Sequence, residues 1–198
     1  MNKTILAIGA HYDDIEIGIG GTLRKHVENS DNIHIAVLDS NEHRTGDTDI
    51  RLIEQFEALS LLGIDSSALK LFNTDDSISE IVSILDKINA DIIYTMFELD
   101  THQAHRRSSY VGQSVGRRLS TQLIFYNSGS SYNFSPNLFS IINFEFKQKV
   151  LKCFKSQIKV RAVNINAIER REAYWASLIT EKPVYAEGLV IRKMIYEV

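Results

Sequence analysis

A short segment near the start of the chain groups an imidazole with adjacent carboxylates. His11, Asp13 and Asp14 follow an apolar run that ends in Gly9-Ala10. Neutral imidazole and carboxylate are zinc ligands, and a catalytic zinc ion usually has three protein ligands and an open position for water. Adjacent side chains project in different directions, so one aspartate can bind metal while the other accepts a proton from water. The alternative is structural: His11 and Asp14 cap a helix that starts near Gly20, and the other charges are solvated.

Two histidines, three residues apart, follow a later apolar run. His102 and His105 can share one side of a turn or helix. One of them would be a metal ligand, and the other an acid or a stabiliser of an oxyanion. The spacing alone also fits two exposed histidines at the start of a helix.

Two further polar residues fall near predicted helix starts. Arg51 would clamp a polar substrate, or it would pair with Asp49 or Glu54 on the surface. Asp76 follows the third apolar run, where it would hydrogen-bond a hydroxyl group or cap the helix from Ser77. Both residues are candidate substrate contacts.

Glycines follow the first cluster, as they do in many phosphate-binding turns. Gly18, Gly20 and Gly21 lack the G-x-G-x-x-G spacing of a dinucleotide-binding turn. A nucleotide-binding protein is therefore the least favoured function. We predict instead that these glycines allow close packing of the site loop against the first helix.

Short apolar strands alternate with amphipathic helices along most of the chain. The alternation predicts βαβ units with a mainly parallel sheet, in an α/β Rossmann-like three-layer sandwich. The predicted strands are residues 4–8, 33–38, 69–72, 92–97, 123–126 and 188–196. The predicted helices are residues 22–27, 50–62, 78–88, 108–119, 144–154 and 164–178. Within the fifth helix and beyond it, the run from Lys147 to Lys155 predicts a solvated face.

Polar clusters fall where three of the predicted strands end, at residues 11–16, 39–49 and 98–105. In a parallel α/β sheet, ligands bind beyond the carboxyl ends of the strands. We therefore expect these three clusters, which are far apart in the sequence, to meet at one edge of the sheet.

The composition of the 198-residue chain is that of an ordinary globular protein, with 44% hydrophobic and 24% charged residues. Its length suits a single domain over residues 1–198. The net charge of −3 shows no basic surplus for nucleic acid, and the single cysteine excludes an internal disulfide. No apolar run approaches the ~18 residues of a membrane span. We expect a cytoplasmic protein without an integral membrane segment, and a homo-oligomer is compatible with the sequence.

The first cluster resembles the opening motif of the LmbE-like or PIG-L family of zinc-dependent N-deacetylases. That motif reads A-H-P-D-D-x-E-x-G-x-G-G-T, and residues 10–22 match it except at Tyr12. A second family motif, H-P-D-H, is similar to residues 102–105, in which Ala104 replaces the aspartate. Weaker similarities extend the resemblance over nearly the whole chain, in residues 51–64, 134–137, 149–157 and 185–187.

The resemblance implies a role for each residue of the two clusters. His11, Asp14 and His105 would bind one zinc ion, and Asp13 would act as general base on the water. His102 would stabilise the oxyanion or protonate the leaving amine. The implied reaction removes an N-acetyl group from an N-acetylglucosamine-like sugar or sugar conjugate. Arg51 would contact the sugar hydroxyls, and Asp76 would assist.

Two departures from the family motifs bear on activity. Tyr12 replaces a proline that would fix the turn. Ala104 removes a carboxylate beside the histidines, and Glu98 or Asp100 is a candidate to replace it. One alternative function is therefore a zinc-binding partner protein without catalysis. Another is hydrolysis of a different acyl-amine in glycan or natural-product tailoring.

Overall fold

The computed structural model describes residues 2–43 and 47–195, and a seven-stranded sheet forms its centre. The strands are β1 (Thr4–Gly9), β2 (Asn32–Val37), β3 (Leu69–Leu71), β4 (Ile92–Met96), β5 (Gln122–Tyr126), β6 (Leu138–Ile142) and β7 (Tyr185–Lys193). Their order is β3-β2-β1-β4-β5-β7-β6. The first five strands in this order are parallel, and β7 is antiparallel to both of its neighbours. The predicted α/β sandwich with a mainly parallel sheet is confirmed.

Helices cover both faces of this sheet. They are α1 (Asp14–Glu28), α2 (Thr48–Leu62), α3 (Ile78–Asp86), α4 (Gln103–Val115), α5 (Phe144–Leu151), α6 (Lys155–Lys159) and α7 (Ile165–Ser177). Along β1, Ile5 and Ala7 belong to one apolar core, and Leu6 and Ile8 to the other. Burial on both faces explains why the central strands are continuous apolar runs in the sequence. None of the described helices combines the length and apolar character needed to cross a bilayer.

Helix α1 begins earlier than the sequence predicts. The glycines favour a start near Gly20, but the helix begins at Asp14. A kink at Ile19, with φ of −140° and ψ of 20°, divides the helix. Just after the kink, the backbone N–H of Gly21 donates to Glu187 in β7 at 2.8 Å. The glycines therefore mark a kink inside α1, next to a long-range hydrogen bond, and not the start of the helix.

Two later elements also differ from their predicted bounds. Helix α4 covers Gln103–Val115 where the sequence predicts 108–119, so the second histidine cluster lies at its start. The late strand predicted over 188–196 begins at Tyr185, and Tyr196 lies outside the described residues. Strand β6 was not predicted, because it is a partly exposed edge strand without clear alternation.

The predicted solvated face over residues 147–155 is wrong for Lys147, whose side chain is fully buried. Its Nζ lies 2.5 Å from Glu172 Oε1 and 2.6 Å from Glu187 Oε1. It also donates to the carbonyl oxygen of Ile17 in α1, at 2.9 Å. Because the two carboxylates lie 25 and 40 residues further along the chain, the local pattern gives no sign of them.

The glycines were predicted to pack the site loop against the first helix, but Gly18 lies inside α1 and packs against the ring of Tyr126 in β5. A methyl group at residue 18 would be 2.1 Å from Tyr126 Cδ2. The ring cannot withdraw easily, since it is fully buried and its hydroxyl donates to the carbonyl of Ile8 at 2.8 Å. We expect Gly18→Ala to lower the free energy of unfolding by about 1–3 kcal/mol in urea denaturation.

Gly20→Ala is the matched control for that substitution. The nearest atom to a methyl group at residue 20 would be 3.8 Å away, an ordinary contact distance. We expect this variant to change the free energy of unfolding by less than about 1 kcal/mol. Equal losses in the two variants would show that the Tyr126 contact is not the cause.

Candidate metal centre and active-site cavity

The turn after β1 positions the first group of candidate residues. Asp13 has a φ of 100°, which is unusual for a residue with a side chain, and Asp14 is the first residue of α1. Asp14 Oδ2 accepts a hydrogen bond from the backbone N–H of His11 at 2.8 Å and lies 3.3 Å from its Nδ1. The turn holds Asp13 and the helix holds Asp14, so the two neighbouring carboxylates can serve different purposes.

The start of α4 brings the second group to the same place. His102 is the N-cap residue, and its Nδ1 accepts a hydrogen bond from the backbone N–H of Ala104 at 3.2 Å. His105 Nε2 lies 3.5 Å from Asp14 Oδ1. The ring centroid of His11 is 5.0 Å from that of His102 and 5.5 Å from that of His105. The two clusters therefore meet, as predicted for segments that follow the carboxyl ends of neighbouring parallel strands.

Three of these side chains could hold a metal ion. One ligand atom from each of His11, Asp14 and His105 lies within 4.8 Å of the other two. Two imidazole nitrogens and a carboxylate oxygen form a donor set that suits zinc and leaves a position for water. Burial alone would raise the pKa of Asp14, but the charge of His105 and the hydrogen bonds from His11 outweigh burial. The pKa of Asp14 is consequently held below its usual range.

Asp13 and His102 line the same cavity without belonging to this ligand cluster. Burial, followed by the charge of Asp14, raises the pKa of Asp13 well above its usual value. Burial, followed by the charge of His105, lowers the pKa of His102. Perturbed titratable groups in a cleft are typical of residues that transfer protons.

These side chains face a cavity of about 620 Å³. Its size is that of a small-molecule site. Part of the wall comes from Ser128 and Ser130, in the loop after β5. Another part comes from the α6–α7 region, through Gln157, Asn164 and Arg171. The described site is therefore a cleft with a candidate metal cluster in its wall.

Comparison with known proteins identifies the family. Residues 6–115 match the PIG-L family, described as GlcNAc-PI de-N-acetylase. The chain belongs to the PIG-L family. It is 32% identical over 170 residues to an uncharacterized deacetylase, YaiS, of Escherichia coli K12. That alignment covers 78% of this chain and 91% of YaiS.

Two solved structures are similar to this PIG-L chain. The conserved protein TT1542 of Thermus thermophilus has a TM-score of 0.82 at 21% identity, over 100% of this chain and 98% of its own. The N,N'-diacetylchitobiose deacetylase of Pyrococcus horikoshii has a TM-score of 0.77 at 20% identity, over 96% of this chain and 83% of its own. At these identities the likeness shows the fold. The family match places the chain among deacetylases.

Tyr12 replaces the proline of the PIG-L motif and packs against Arg51. The guanidinium carbon of Arg51 lies 5.8 Å from the centroid of the Tyr12 ring. Arg51 Nη2 donates to the backbone carbonyl of Tyr12 at 3.3 Å, and Arg51 Nη1 lies 3.3 Å from Glu42 Oε2. Arg51 lines the cavity, and Glu42 is an ion-pair partner that the sequence did not suggest.

A carboxylate lies near His105 although the second PIG-L motif lacks its aspartate. Ala104 is buried and offers no polar group. Asp100 Oδ1 lies 3.2 Å from His105 Nδ1, whereas Glu98 is exposed. Of the two replacements that the sequence suggested, Asp100 is the one at the site.

Asp76 lies in the loop after β3 and is not among the described residues that line the cavity. Its carboxylate accepts a hydrogen bond from the backbone N–H of Asn73 at 2.7 Å. Its carbonyl oxygen accepts from Arg107 at 2.7 Å. The helix cap considered for Asp76 is supplied by Ser77, whose side chain accepts from the N–H of Glu80.

Sequence reasoning missed part of the cavity wall. Ser128 and Ser130 follow the fifth parallel strand, so the rule that ligands bind at the carboxyl edge of the sheet was an available signal. Gln157 ends the segment 149–157 that resembles the family, but nothing in the sequence marks Arg171 as part of a cavity. Both lie beyond residues 6–115, over which the chain matches the family, and only tertiary packing brings them to the cavity.

Proposed function

We propose that this PIG-L protein is a zinc-dependent deacetylase that removes the N-acetyl group of an N-acetylglucosamine-like sugar or sugar conjugate. The observation that carries the proposal is one cavity that combines the His11, Asp14 and His105 cluster with Asp13 and His102. The names of similar proteins support the substrate class. The family description is GlcNAc-PI de-N-acetylase, and the Pyrococcus horikoshii relative is named for N,N'-diacetylchitobiose.

The residues around the cluster suit amide hydrolysis. A zinc ion held there would lower the pKa of a water molecule and polarise the amide carbonyl. Asp13 would take the proton from the attacking water. His102 Nδ1 accepts a hydrogen bond from Ala104, which leaves the proton of a neutral ring on Nε2. That N–H would donate to the developing oxyanion. Only a doubly protonated, cationic His102 could pass a proton to the departing nitrogen, because a neutral ring would be left as imidazolate.

Arg51 is the residue that we propose contacts the sugar hydroxyls, because its buried guanidinium lines the cavity. A contribution of Asp76 would be indirect. It would act by positioning Arg107, which donates a hydrogen bond to the backbone carbonyl of Asp76 and lies 2.5 Å from the carboxylate of Asp39. The single domain over 1–198, the cytoplasmic location, the absence of nucleic-acid binding and any homo-oligomer stay predictions.

A different acyl-amine is the second candidate substrate. Gln157, Asn164 and Arg171 line the cavity but lie outside residues 6–115, so part of the wall is independent of the family match. A panel of acylated amino sugars, including glycan and natural-product intermediates, separates the two candidates. Specific ligand binding with zinc bound but without turnover would favour a non-catalytic partner protein.

Metal content is the direct test of the proposed centre. In protein purified without chelator we expect about one zinc ion per chain, and we expect His105→Ala to lose it because one of three ligands is removed. His34→Ala removes a histidine of β2 that does not line the cavity, and it should retain the metal. Elemental analysis measures all three proteins. Absence of metal, or metal unaffected by His105→Ala, would overturn the proposal.

A further inference from the structure

The two ring nitrogens of His105 face different surroundings. Nε2 lies on the side of the candidate metal cluster, 3.5 Å from Asp14 Oδ1. Nδ1 lies 3.2 Å from Asp100 Oδ1, 3.0 Å from Ser130 Oγ and 3.2 Å from Ser128 Oγ. A neutral imidazole carries one N–H, and the partner of that N–H decides which nitrogen keeps its lone pair for a metal.

Asp100 is held firmly at this position. Its side chain is buried, and Oδ1 accepts hydrogen bonds from the backbone N–H of His102 at 2.8 Å and from Ser130 Oγ at 2.7 Å. Oδ2 accepts from Ser131 Oγ at 3.1 Å. The backbones of Asp100 and Ser131 also pair in an isolated antiparallel bridge. The carboxylate therefore joins the start of α4 to the loop that lines the cavity.

We infer that Asp100 is a positioning residue for the metal centre. By accepting the Nδ1–H of His105, it fixes the tautomer and the ring orientation that present the Nε2 lone pair to the ion. The same carboxylate connects the backbone of His102 to the loop of Ser130 and Ser131, so it holds both histidines in fixed positions relative to each other. Ser130 does not donate to Nδ1 of His105, because its hydroxyl proton is directed to the carboxylate of Asp100. The inference rests on the metal site of the proposed function.

Asp100→Asn tests this inference against a purely structural role. The amide oxygen can still accept the N–H of His102, but an amide lacks the negative charge and has only one acceptor atom for the former contacts. We expect the variant to stay folded by circular dichroism and to bind Zn²⁺ about 10–100-fold more weakly in competition with a chromophoric chelator. The visible spectrum of the Co²⁺-loaded variant should also differ from that of the wild type.

Glu98→Gln is the matched control, since Glu98 is an exposed carboxylate two residues away in the chain. It should bind Zn²⁺ like the wild type. Wild-type affinity and an unchanged Co²⁺ spectrum in Asp100→Asn would overturn the inference while leaving the proposed function standing. A wild-type protein that binds no ion would overturn both.

A measurement on the wild type covers the case in which Asp100→Asn fails to fold. A long-range ¹H–¹⁵N spectrum of the Zn²⁺-loaded protein reports which nitrogen of His105 carries the proton. We expect the proton on Nδ1, facing Asp100. A proton on Nε2 would mean that the ion binds Nδ1, and it would overturn the inference.

Discussion

Replacing Asp13 by asparagine is expected to lower the rate of acetate release by about 10²–10⁴-fold while leaving the metal bound. The carboxylate of Asp13 lines the cavity but is not among the three clustered ligands. Asparagine keeps the size of the side chain and tolerates the φ of 100° at this position better than most residues. The variant therefore removes a proton acceptor without forcing a change of the turn. Acetate release and elemental analysis on the same preparation measure the two effects.

Asp75→Asn is the control for this substitution, because Asp75 is an exposed aspartate outside the cavity. It should keep wild-type activity and metal content. A fully active Asp13→Asn would exclude Asp13 as the base, and a metal-free Asp13→Asn would show that Asp13 helps to bind the ion. Loss of activity with the metal retained is the outcome that the proposed roles require.

The core of the fold could be predicted because its signals are local. Each central parallel strand is an apolar run, and burial on both faces of the sheet makes such runs continuous. The predictions failed where long-range contacts decide the structure. Glu187 in β7 bonds the backbone of Gly21, and α1 runs through the glycines that suggested its start. Strand β6 pairs at the sheet edge with β7, which lies far along the chain.

In the candidate site, too, the features with local signals could be predicted and those set by long-range contacts could not. Parallel strands end at one edge of the sheet, which is why His11 and His105 could be expected to meet. The sequence offered two carboxylates, Glu98 and Asp100, as replacements for the missing aspartate, and only their burial and contacts in the structure distinguish them. In the α6–α7 wall, Gln157 belongs to a segment that resembles the family, but nothing in the sequence marks Asn164 or Arg171 as part of a cavity. The part of the site that would choose a substrate is thus the part least visible in the sequence.

Replacing the buried Lys147 by methionine is expected to lower the free energy of unfolding by about 3–5 kcal/mol. Its ammonium group lies between the carboxylates of Glu172 and Glu187, and all three side chains are fully buried. Methionine fills a similar volume but leaves two carboxylates without their shared cation. Lys149→Met is the control, because Lys149 is exposed and its 3.5 Å pair with Glu145 lies at the surface. That control should lose less than about 1 kcal/mol.

The loss in Lys147→Met should grow as the pH rises. Burial already raises the pKa of Glu172, and Lys147 is the largest influence that lowers it. Without the lysine, this folded-state pKa rises further above the unfolded value. A group of this kind contributes stability at low pH that is lost as the pH rises through the folded pKa. Urea denaturation should therefore show a larger deficit at pH 8 than at pH 5. A deficit that is equal at both pH values would mean that lost packing, rather than the unpaired carboxylates, destabilises the variant.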